Sequence, residues 1–239
     1  MHGTATAARR FGEALRNRDP RTLTVTLLVA GLGLALIAFA NIVEDYLDHE
    51  AITRWDIHFA RWLHEHASHP LVQFFNVITY GGNAVAVFIV VVSIGIVLLR
   101  RARPNEAALI ALAFAGAFLV NGALKLIFKR PRPELSFTHL DTYSFPSGHA
   151  AVSSATFTVI AYLLARRYAS TWACALIVCV TVVAVGLVGF SRLYLGAHYL
   201  SDVLAGICVG FAWAMISLIA YTLWGERNIL ELLPARLRR

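Results

Sequence analysis

Six long apolar segments, separated by short polar ones, dominate the chain. They lie near residues 22–41, 76–99, 107–128, 149–165, 171–190 and 199–224. A helix that crosses a hydrocarbon core of roughly 30 Å needs about 20 mainly apolar residues, and each segment is of that order of length. The pattern therefore predicts an all-α polytopic membrane protein, with six transmembrane helices in one bundle.

The composition favours a bilayer over water as the solvent of this chain. Of its 239 residues, 58% are hydrophobic and only 15% are charged, and the mean hydropathy is +0.65, which is unlike a water-soluble globular domain. The apolar segments leave no room for a second, soluble domain. We expect a basic cytoplasmic segment at 1–21, a six-helix membrane domain at 22–224 and a basic cytoplasmic tail at 225–239.

The first apolar segment has a second interpretation. Ala38-Phe39-Ala40 resembles the small-residue cleavage site of a secretory signal peptide. The apolar run before it is longer than the usual signal-peptide core of about 7–15 residues. A retained transmembrane helix is therefore the preferred prediction.

Basic residues concentrate on one side of the predicted membrane. If the N-terminus is cytoplasmic, 14 of the 21 Lys and Arg residues lie in cytoplasmic segments, and the first loop on the other side is acidic. The cytoplasmic set is Arg9, Arg10, Arg16, Arg18, Arg21, Arg100, Arg101, Arg103, Arg166, Arg167, Arg227, Arg236, Arg238 and Arg239. The positive-inside rule then predicts a plasma (inner) membrane protein with both termini in the cytoplasm.

Five cations break that rule at the outer ends of the third and fifth helices. They are Lys125, Lys129, Arg130, Arg132 and Arg192. An anionic ligand at the outer face would neutralise cations placed there, whereas Lys129 and Arg130 are assigned to contact with lipid headgroups. The chain has no basic stripe interleaved with aromatic residues, so its formal charge of +7 does not indicate a nucleic-acid partner.

The first outer loop predicts an interfacial helix. Trp55, Phe59, Trp62, Leu63 and His66 recur at helical spacing, and Trp is typical of the membrane–water interface. The histidines of this region fit no compact set of metal ligands, so we expect them to be solvated. They are His58, His64, His66 and His69.

Two further sets of residues are interpreted as packing elements. Cys174, Cys179 and Cys208 lie inside apolar segments, where thiols behave as small hydrophobic groups. Gly206 and Gly210 form a GxxxG pair in the sixth helix, which predicts close helix packing. A dimer interface there is a second possibility, so the oligomeric state stays open.

Three short polar stretches carry the candidate chemistry. They are Lys125 with Arg132-Pro133, then Pro146-Ser147-Gly148-His149, then Ser191-Arg192 with His198 and Asp202. Helices four and five separate the third loop from the fifth, and two crossings return the chain to the same side. We therefore expect these residues to meet.

His198 and Asp202 are four positions apart at the start of the sixth helix, so they share one face. The carboxylate can accept a hydrogen bond from one imidazole nitrogen, which fixes the tautomer and leaves the other lone pair for an electrophile. The alternative is that the two side chains only satisfy each other at a polar helix end. Ionisable residues in membrane segments are functional by default, which favours the first interpretation.

The stretch before the fourth helix predicts an anion site. Ser147 can cap the helix, Gly148 lets the backbone approach a ligand, and His149 in the first turn is placed for acid catalysis. A helix N-terminus attracts anions, although an ordinary capped helix start has the same pattern. Three cations, each of which taken singly can snorkel to the interface, complete the set: Lys125, Arg132 and Arg192.

Together the three stretches resemble the signature of the type 2 phosphatidic acid phosphatase superfamily. That superfamily includes bacterial lipid phosphatases, glucose-6-phosphatase, class A acid phosphatases and vanadium haloperoxidases. Every signature position is filled, over residues 125–202, about a third of the chain. The six-helix pattern extends the resemblance to nearly all of it.

The resemblance implies a role for each residue. His198 is the nucleophile that forms a phosphohistidine, Asp202 orients it, and His149 protonates the leaving group and then activates water. The phosphoryl oxygens are held by Lys125, Arg132, Ser147, the backbone N–H of Gly148, and Arg192. No metal or other cofactor is expected, because the cations and the helix N-terminus stabilise the charge.

The expected function is that of an integral membrane phosphatase with a lipid substrate. Undecaprenyl pyrophosphate, phosphatidylglycerol phosphate and phosphatidic acid all fit, and the residues do not choose among them. A lipid phosphotransferase using the same histidine stays open, whereas the short membrane chain disfavours a haloperoxidase. A non-enzymatic anion-binding protein is disfavoured, because binding needs cations but not an acid and an oriented nucleophile.

Overall fold

The computed structural model describes residues 20–48, 51–134, 136–137, 142–168 and 170–224. Over these ranges the chain forms eight α-helices and no strand, which confirms the all-α prediction. They are α1 (Pro20–Leu47), α2 (Ala51–Glu65), α3 (His69–Tyr80), α4 (Ala84–Arg100), α5 (Pro104–Phe128), α6 (Gly148–Arg167), α7 (Thr171–Tyr194) and α8 (Leu200–Trp224). Apart from residues 20 and 21, the two predicted basic terminal segments lie outside the described residues.

Five single helices and one bent pair of helices correspond to the six predicted transmembrane segments. Helices α1, α5, α6, α7 and α8 are each long and apolar enough to cross a membrane. Helices α3 and α4 pass the same test of length and composition only as a pair, with a bend of 42° between them, and they overlap the second predicted segment. The chain is an integral membrane protein, as its hydropathy predicts.

The second crossing differs from the single continuous helix predicted over 76–99. It begins at His69 and is broken at Gly81-Gly82-Asn83, where the Asn83 side chain caps α4 by accepting a hydrogen bond from the Val85 N–H at 2.8 Å. A Cβ on Gly82 would lie 2.1 Å from Val188, so glycine lets the break pack closely against α7. Hydropathy alone does not predict such a break, because both α3 and α4 are hydrophobic.

Helix α2 packs one face on the bundle and exposes the other. Asp56 and Leu63 are buried, at 1% and 4% exposure. The neighbouring Trp55 and Trp62 are 68% and 53% exposed. The helix is amphipathic as the sequence predicts, and its position in the membrane interface stays a prediction.

The packing of α6 against α8 aligns the two ends that carry the candidate chemistry. A Cβ on Gly206 would lie 2.5 Å from the Ser147 carbonyl oxygen, and one on Gly210 would lie 2.1 Å from that of Ala151. The GxxxG pair therefore serves close helix packing, as predicted. Where α6 and α8 begin, the Ser147 N–H donates to the Asp202 carbonyl oxygen at 2.9 Å.

Candidate active site

The three polar stretches converge at one end of the bundle. The N-terminus of α6 is joined to the first turn of α8 through the Ser147–Asp202 backbone hydrogen bond. The Ser144 N–H donates to the Arg130 carbonyl oxygen at 2.9 Å, which ties the segment after α5 to the segment before α6. The third and fifth loops therefore lie on the same side, as the count of crossings predicts.

The segment after α5 is extended, and this decides which cations turn inward. Lys129 adopts a left-handed conformation with φ of 47° and ends the helix, and Pro131 and Pro133 keep the following chain from resuming it. Residues two apart in an extended chain point to the same side. Arg130 and Arg132 accordingly turn toward the protein, whereas the Lys129 side chain is exposed.

Two loops hold the Arg132 guanidinium against His198. Its Nε and one terminal nitrogen donate to the carbonyl and hydroxyl oxygens of Thr142, at 2.7 and 2.8 Å. The other terminal nitrogen donates to the Ala197 carbonyl oxygen at 2.6 Å and lies 3.3 Å from His198 Nε2. Arg132 is therefore fixed beside one ring nitrogen of the candidate nucleophile.

The other two cations are held by neutral oxygen atoms. The Lys125 ammonium donates to the carbonyl oxygens of Tyr143 and Ser144, the latter at 3.2 Å. Arg192 is only 4% exposed and donates to the Thr79 hydroxyl at 2.7 Å. Thr79 lies at the end of α3, inside an apolar segment that does not indicate a site residue.

His198 and Asp202 are adjacent, as their spacing predicts. His198 Nδ1 lies 3.4 Å from Asp202 Oδ2, but the two atoms are not aligned as a hydrogen bond. The same oxygen accepts from the Tyr199 N–H at 2.9 Å, and Oδ1 accepts from Arg130 at 2.7 Å. The carboxylate is thus positioned mainly by Tyr199 and Arg130, with His198 beside it.

The surroundings of His198 favour an uncharged imidazole. It is 3% exposed, and burial, followed by the charges of Arg132, Arg192 and Lys125, lowers its pKa well below the ordinary value. A neutral ring keeps a lone pair for attack on phosphorus. With Nδ1 on the Asp202 side, the geometry favours Nε2, which faces Arg132, as the attacking atom.

His149 lies in the first turn of α6 and belongs to the same cluster. Its ring is partly buried, and it interacts electrostatically with Arg192, His198, Arg132 and Lys125. The structure thus groups the second histidine with the three cations and the first histidine.

Two buried donors of the site lack a partner within the described part of the chain. The Ser147 hydroxyl makes no capping bond to α6, although the sequence suggested one, and the Nε of Arg192 is likewise unpaired. Buried polar atoms are nearly always hydrogen-bonded in proteins. Two such donors next to a helix N-terminus fit an anion with several oxygen atoms.

Asn121 supports the turn that enters α6, a role that no local pattern in the sequence indicates. It is 4% exposed, and its amide donates to the Pro146 carbonyl oxygen at 3.2 Å. A Cβ on Gly148 would lie 3.1 Å from its side-chain oxygen. Glycine at 148 therefore allows α5 to approach this turn closely.

The expectation that Arg130 contacts lipid headgroups is wrong. Arg130 is 4% exposed and forms ion pairs with Asp56 at 2.8 Å and with Asp202 at 2.7 Å. Its guanidinium lies between the rings of Tyr46 and Tyr199, 4.7 and 4.4 Å from their centroids. It is an internal cation that connects α1, α2 and α8.

In the sequence, Asp56 is one of several acidic residues of the first outer loop. In the structure it accepts from the Ser201 N–H at 2.9 Å and from the Ser201 hydroxyl, as well as from Arg130. It precedes Phe59 by three positions and Leu63 by seven, which places it on the apolar face of α2. A carboxylate on the apolar face of a helix indicates that the side chain has a buried partner.

The protein-family model and the relatives that match this chain indicate the same family. A family model described as the PAP2 superfamily matches residues 106–226, about half of the chain. The chain is 34% identical over 136 residues to phosphatidylglycerophosphatase B of Bacillus subtilis (strain 168), over 56% of this chain and 66% of that protein. It is 32% identical over 151 residues to lipid A 1-phosphatase of Rhizobium etli, over 55% and 60%. It thus spans less than two thirds of the length of these relatives.

Solved structures show the same fold. The crystal structure of a transmembrane PAP2 type phosphatidylglycerolphosphate phosphatase from Bacillus subtilis matches with a TM-score of 0.69 and 26% identity, over 80% of this chain and 94% of that one. That of Aquifex aeolicus LpxE matches with a TM-score of 0.56 and 24% identity, over 69% and 94%. The second likeness concerns the fold alone.

Replacing Arg130 by Gln should destabilise the protein. The change leaves the carboxylates of Asp56 and Asp202 buried without their cation, and breaking such a buried pair costs about 3–5 kcal/mol. Denaturation in detergent micelles should show a loss of that order for Arg130→Gln. The neighbouring Lys129→Gln, an exposed position, should change stability by less than about 0.5 kcal/mol.

A second substitution tests the cause. Adding Asp56→Asn to Arg130→Gln removes one uncompensated charge and should recover part of the lost stability. If Arg130→Gln is as stable as Lys129→Gln, the ion-pair network does not hold these segments together.

Proposed function

The chain belongs to the PAP2 superfamily, and we propose that it removes phosphate from a membrane lipid phosphate or pyrophosphate through a phosphohistidine at His198. The observation that carries this proposal is the buried His198 imidazole, whose Nε2 lies 3.3 Å from Arg132. Around it lie further cations and two unpaired donors. The set suits a nucleophile facing a bound phosphoryl group.

In the first step, His198 Nε2 attacks phosphorus. The Nε2–P bond forms while the bond to the leaving oxygen breaks, and His149 donates a proton to that oxygen. Asp202 lies beside Nδ1 and stabilises the positive charge that develops on the imidazole. The products are a phosphohistidine and a lipid alcohol, or a lipid monophosphate when the substrate is a pyrophosphate.

In the second step, water hydrolyses the phosphohistidine. His149 accepts a proton from water, whose oxygen attacks phosphorus as the P–Nε2 bond breaks, and inorganic phosphate leaves. The phosphoryl oxygens are held in both steps by Lys125, Arg132, Arg192, the Ser147 hydroxyl and the Gly148 N–H. These groups supply the charge stabilisation, so the proposed chemistry needs no metal or other cofactor.

A lipid substrate follows from where the site lies. It is at the end of a membrane-crossing bundle, so a substrate can keep its chains in the bilayer while its phosphate reaches His198. The names of the relatives, a phosphatidylglycerophosphatase and a lipid A 1-phosphatase, are consistent with that class. Undecaprenyl pyrophosphate, phosphatidylglycerol phosphate and phosphatidic acid are the candidates to be compared.

We place the site on the extracytoplasmic face. The opposite end of the bundle carries the cations that the positive-inside rule assigns to the cytoplasm. Those among the described residues are Arg21, Arg100, Arg101, Arg103, Arg166 and Arg167.

The proposed activity predicts phosphate release from at least one of the three candidate lipids by the purified full-length chain. Release should persist in excess chelator and be blocked by vanadate, which adopts the five-coordinate geometry of the transition state. Arg132→Gln should lower kcat by about 10²–10³-fold, because it removes charge beside the transferring group, whereas Lys129→Gln should leave it unchanged.

Other results of these phosphate-release assays would contradict the proposal or change it. Activity lost on metal removal contradicts the metal-free chemistry. Transfer to an added alcohol without release of phosphate indicates a phosphotransferase. If neither release nor transfer occurs with any of the lipids, the chain is not the proposed enzyme.

The two histidines should fail at different steps. His198→Ala should give no phosphoenzyme with any substrate, because the nucleophile is gone. His149→Ala should be nearly inactive on an alkyl phosphate, whose alkoxide leaves poorly without an acid. With an aryl phosphate it should still be phosphorylated and should accumulate an acid-labile, base-stable phosphohistidine, because water is no longer activated.

Rapid-quench labelling measures this difference directly. His58→Ala, an exposed histidine on α2, should behave as the unmodified chain. The assigned roles are exchanged if His149→Ala traps no species while His198→Ala does.

The sidedness is tested by cysteine labelling in intact cells. With the three native cysteines replaced by Ala, Glu134→Cys at the site end should react with a membrane-impermeant maleimide, and Arg100→Cys at the other end should not. Both positions are exposed, so a difference in labelling reports the side of the membrane on which each position lies. The reverse labelling pattern would overturn the proposed orientation.

A further inference from the structure

A groove of about 500 Å³ lies at the end of the bundle opposite His198. Helices α4, α5 and α6 form its walls. Its floor is apolar, with Ile94, Leu98, Ile110, Ile160 and Leu163 among the lining residues. Its rim carries three arginines, Arg101, Arg103 and Arg167.

The charges of this rim are only partly compensated. Arg103 forms an ion pair with Glu106 at 2.6 Å, so the one carboxylate that lines the groove is neutralised. Within the described part of the chain, the side chains of Arg101 and Arg167 have no hydrogen-bond or ion-pair partner. They follow the last turn of α4 and end α6, on two walls of the same groove. The rim therefore has an excess of positive charge.

The combination of rim and floor restricts the occupant. A neutral lipid would leave the two arginines without a counterion, and a free phosphate would leave the apolar floor uncovered. A phospholipid with a net negative headgroup satisfies both, because arginine binds phosphate through paired hydrogen bonds and acyl chains cover apolar side chains. Basic pockets between transmembrane helices are suited to such headgroups.

We propose that this groove binds one anionic phospholipid of the membrane, with its phosphate at Arg101 and Arg167 and an acyl chain along the apolar floor. This site is separate from the proposed phosphatase centre, since it lies at the other end of α6 from His149. It does not depend on the activity of that centre.

The test uses native mass spectrometry of the full-length chain in detergent with phosphatidylglycerol or phosphatidylcholine of identical acyl chains. Phosphatidylglycerol should form a single saturable adduct at least about tenfold tighter than phosphatidylcholine, equivalent to about 1.4 kcal/mol. The double variant Arg101→Gln/Arg167→Gln should bind both lipids equally weakly. Arg100→Gln/Lys129→Gln removes two exposed cations outside the groove and should keep the preference.

A second pair of variants tests the apolar floor without a change in charge. Val97→Trp places a large ring in the groove and should weaken the adduct severalfold. Val92→Trp, on the same helix but outside the groove, should not. Both positions are partly exposed, at 49% and 41%, so a larger side chain can be accommodated without disturbing the core.

An Arg132→Gln chain separates the groove from the phosphatase centre. If the groove is the site, phosphatidylglycerol binds this variant as tightly as the unmodified chain. The proposal is overturned if Arg132→Gln abolishes the adduct, if the groove variants retain it, or if the control variants lose it equally. Glycerol phosphate, which has the anion but no chains, should form no adduct.

Discussion

The buried guanidinium of Arg130 forms ion pairs with both Asp56 and Asp202. The arrangement of the bundle end that carries the candidate active site depends on this interaction. A buried ion pair is favourable only when its geometry is good and its remaining hydrogen-bonding groups are satisfied. Here the partners come from α2, the segment after α5 and the start of α8, and Ser201 takes up further bonds to both Arg130 and Asp56. Three segments distant in sequence are thereby held in one arrangement.

The position of the candidate nucleophile follows from that arrangement. Asp202 is fixed by Arg130 on one oxygen and by the Tyr199 N–H on the other, so the turn that carries His198 is held at the start of α8. The close approach of Gly206 to the Ser147 carbonyl then places the N-terminus of α6 beside this turn. A charge network and a small-residue contact together bring the helix terminus and the histidine to one place.

The sequence predicted the parts of this design that depend on local pattern. Hydropathy predicted the crossings, and the even number of helices between the loops predicted that His198 and Arg132 meet. The sequence did not predict the partners of Arg130, because the burial of a charge depends on residues that are distant in sequence. The signs present were Pro131, which extends the chain and puts Arg130 on the side of Arg132, and the place of Asp56 on an apolar helix face.

The cations at the active-site end of the bundle are compensated in different ways, which supports the proposed position of the anion. Arg130 is neutralised inside the protein by two carboxylates. Among the described residues, Lys125, Arg132 and Arg192 form no ion pair, and their hydrogen bonds go to oxygens of uncharged groups and, for Arg132, also to a ring nitrogen of His198. Three positive charges held in place around the His198 imidazole repel one another in the free protein. In the proposed reaction, a phosphate group with two negative charges would relieve that repulsion, most strongly where charge spreads over its oxygens during phosphoryl transfer.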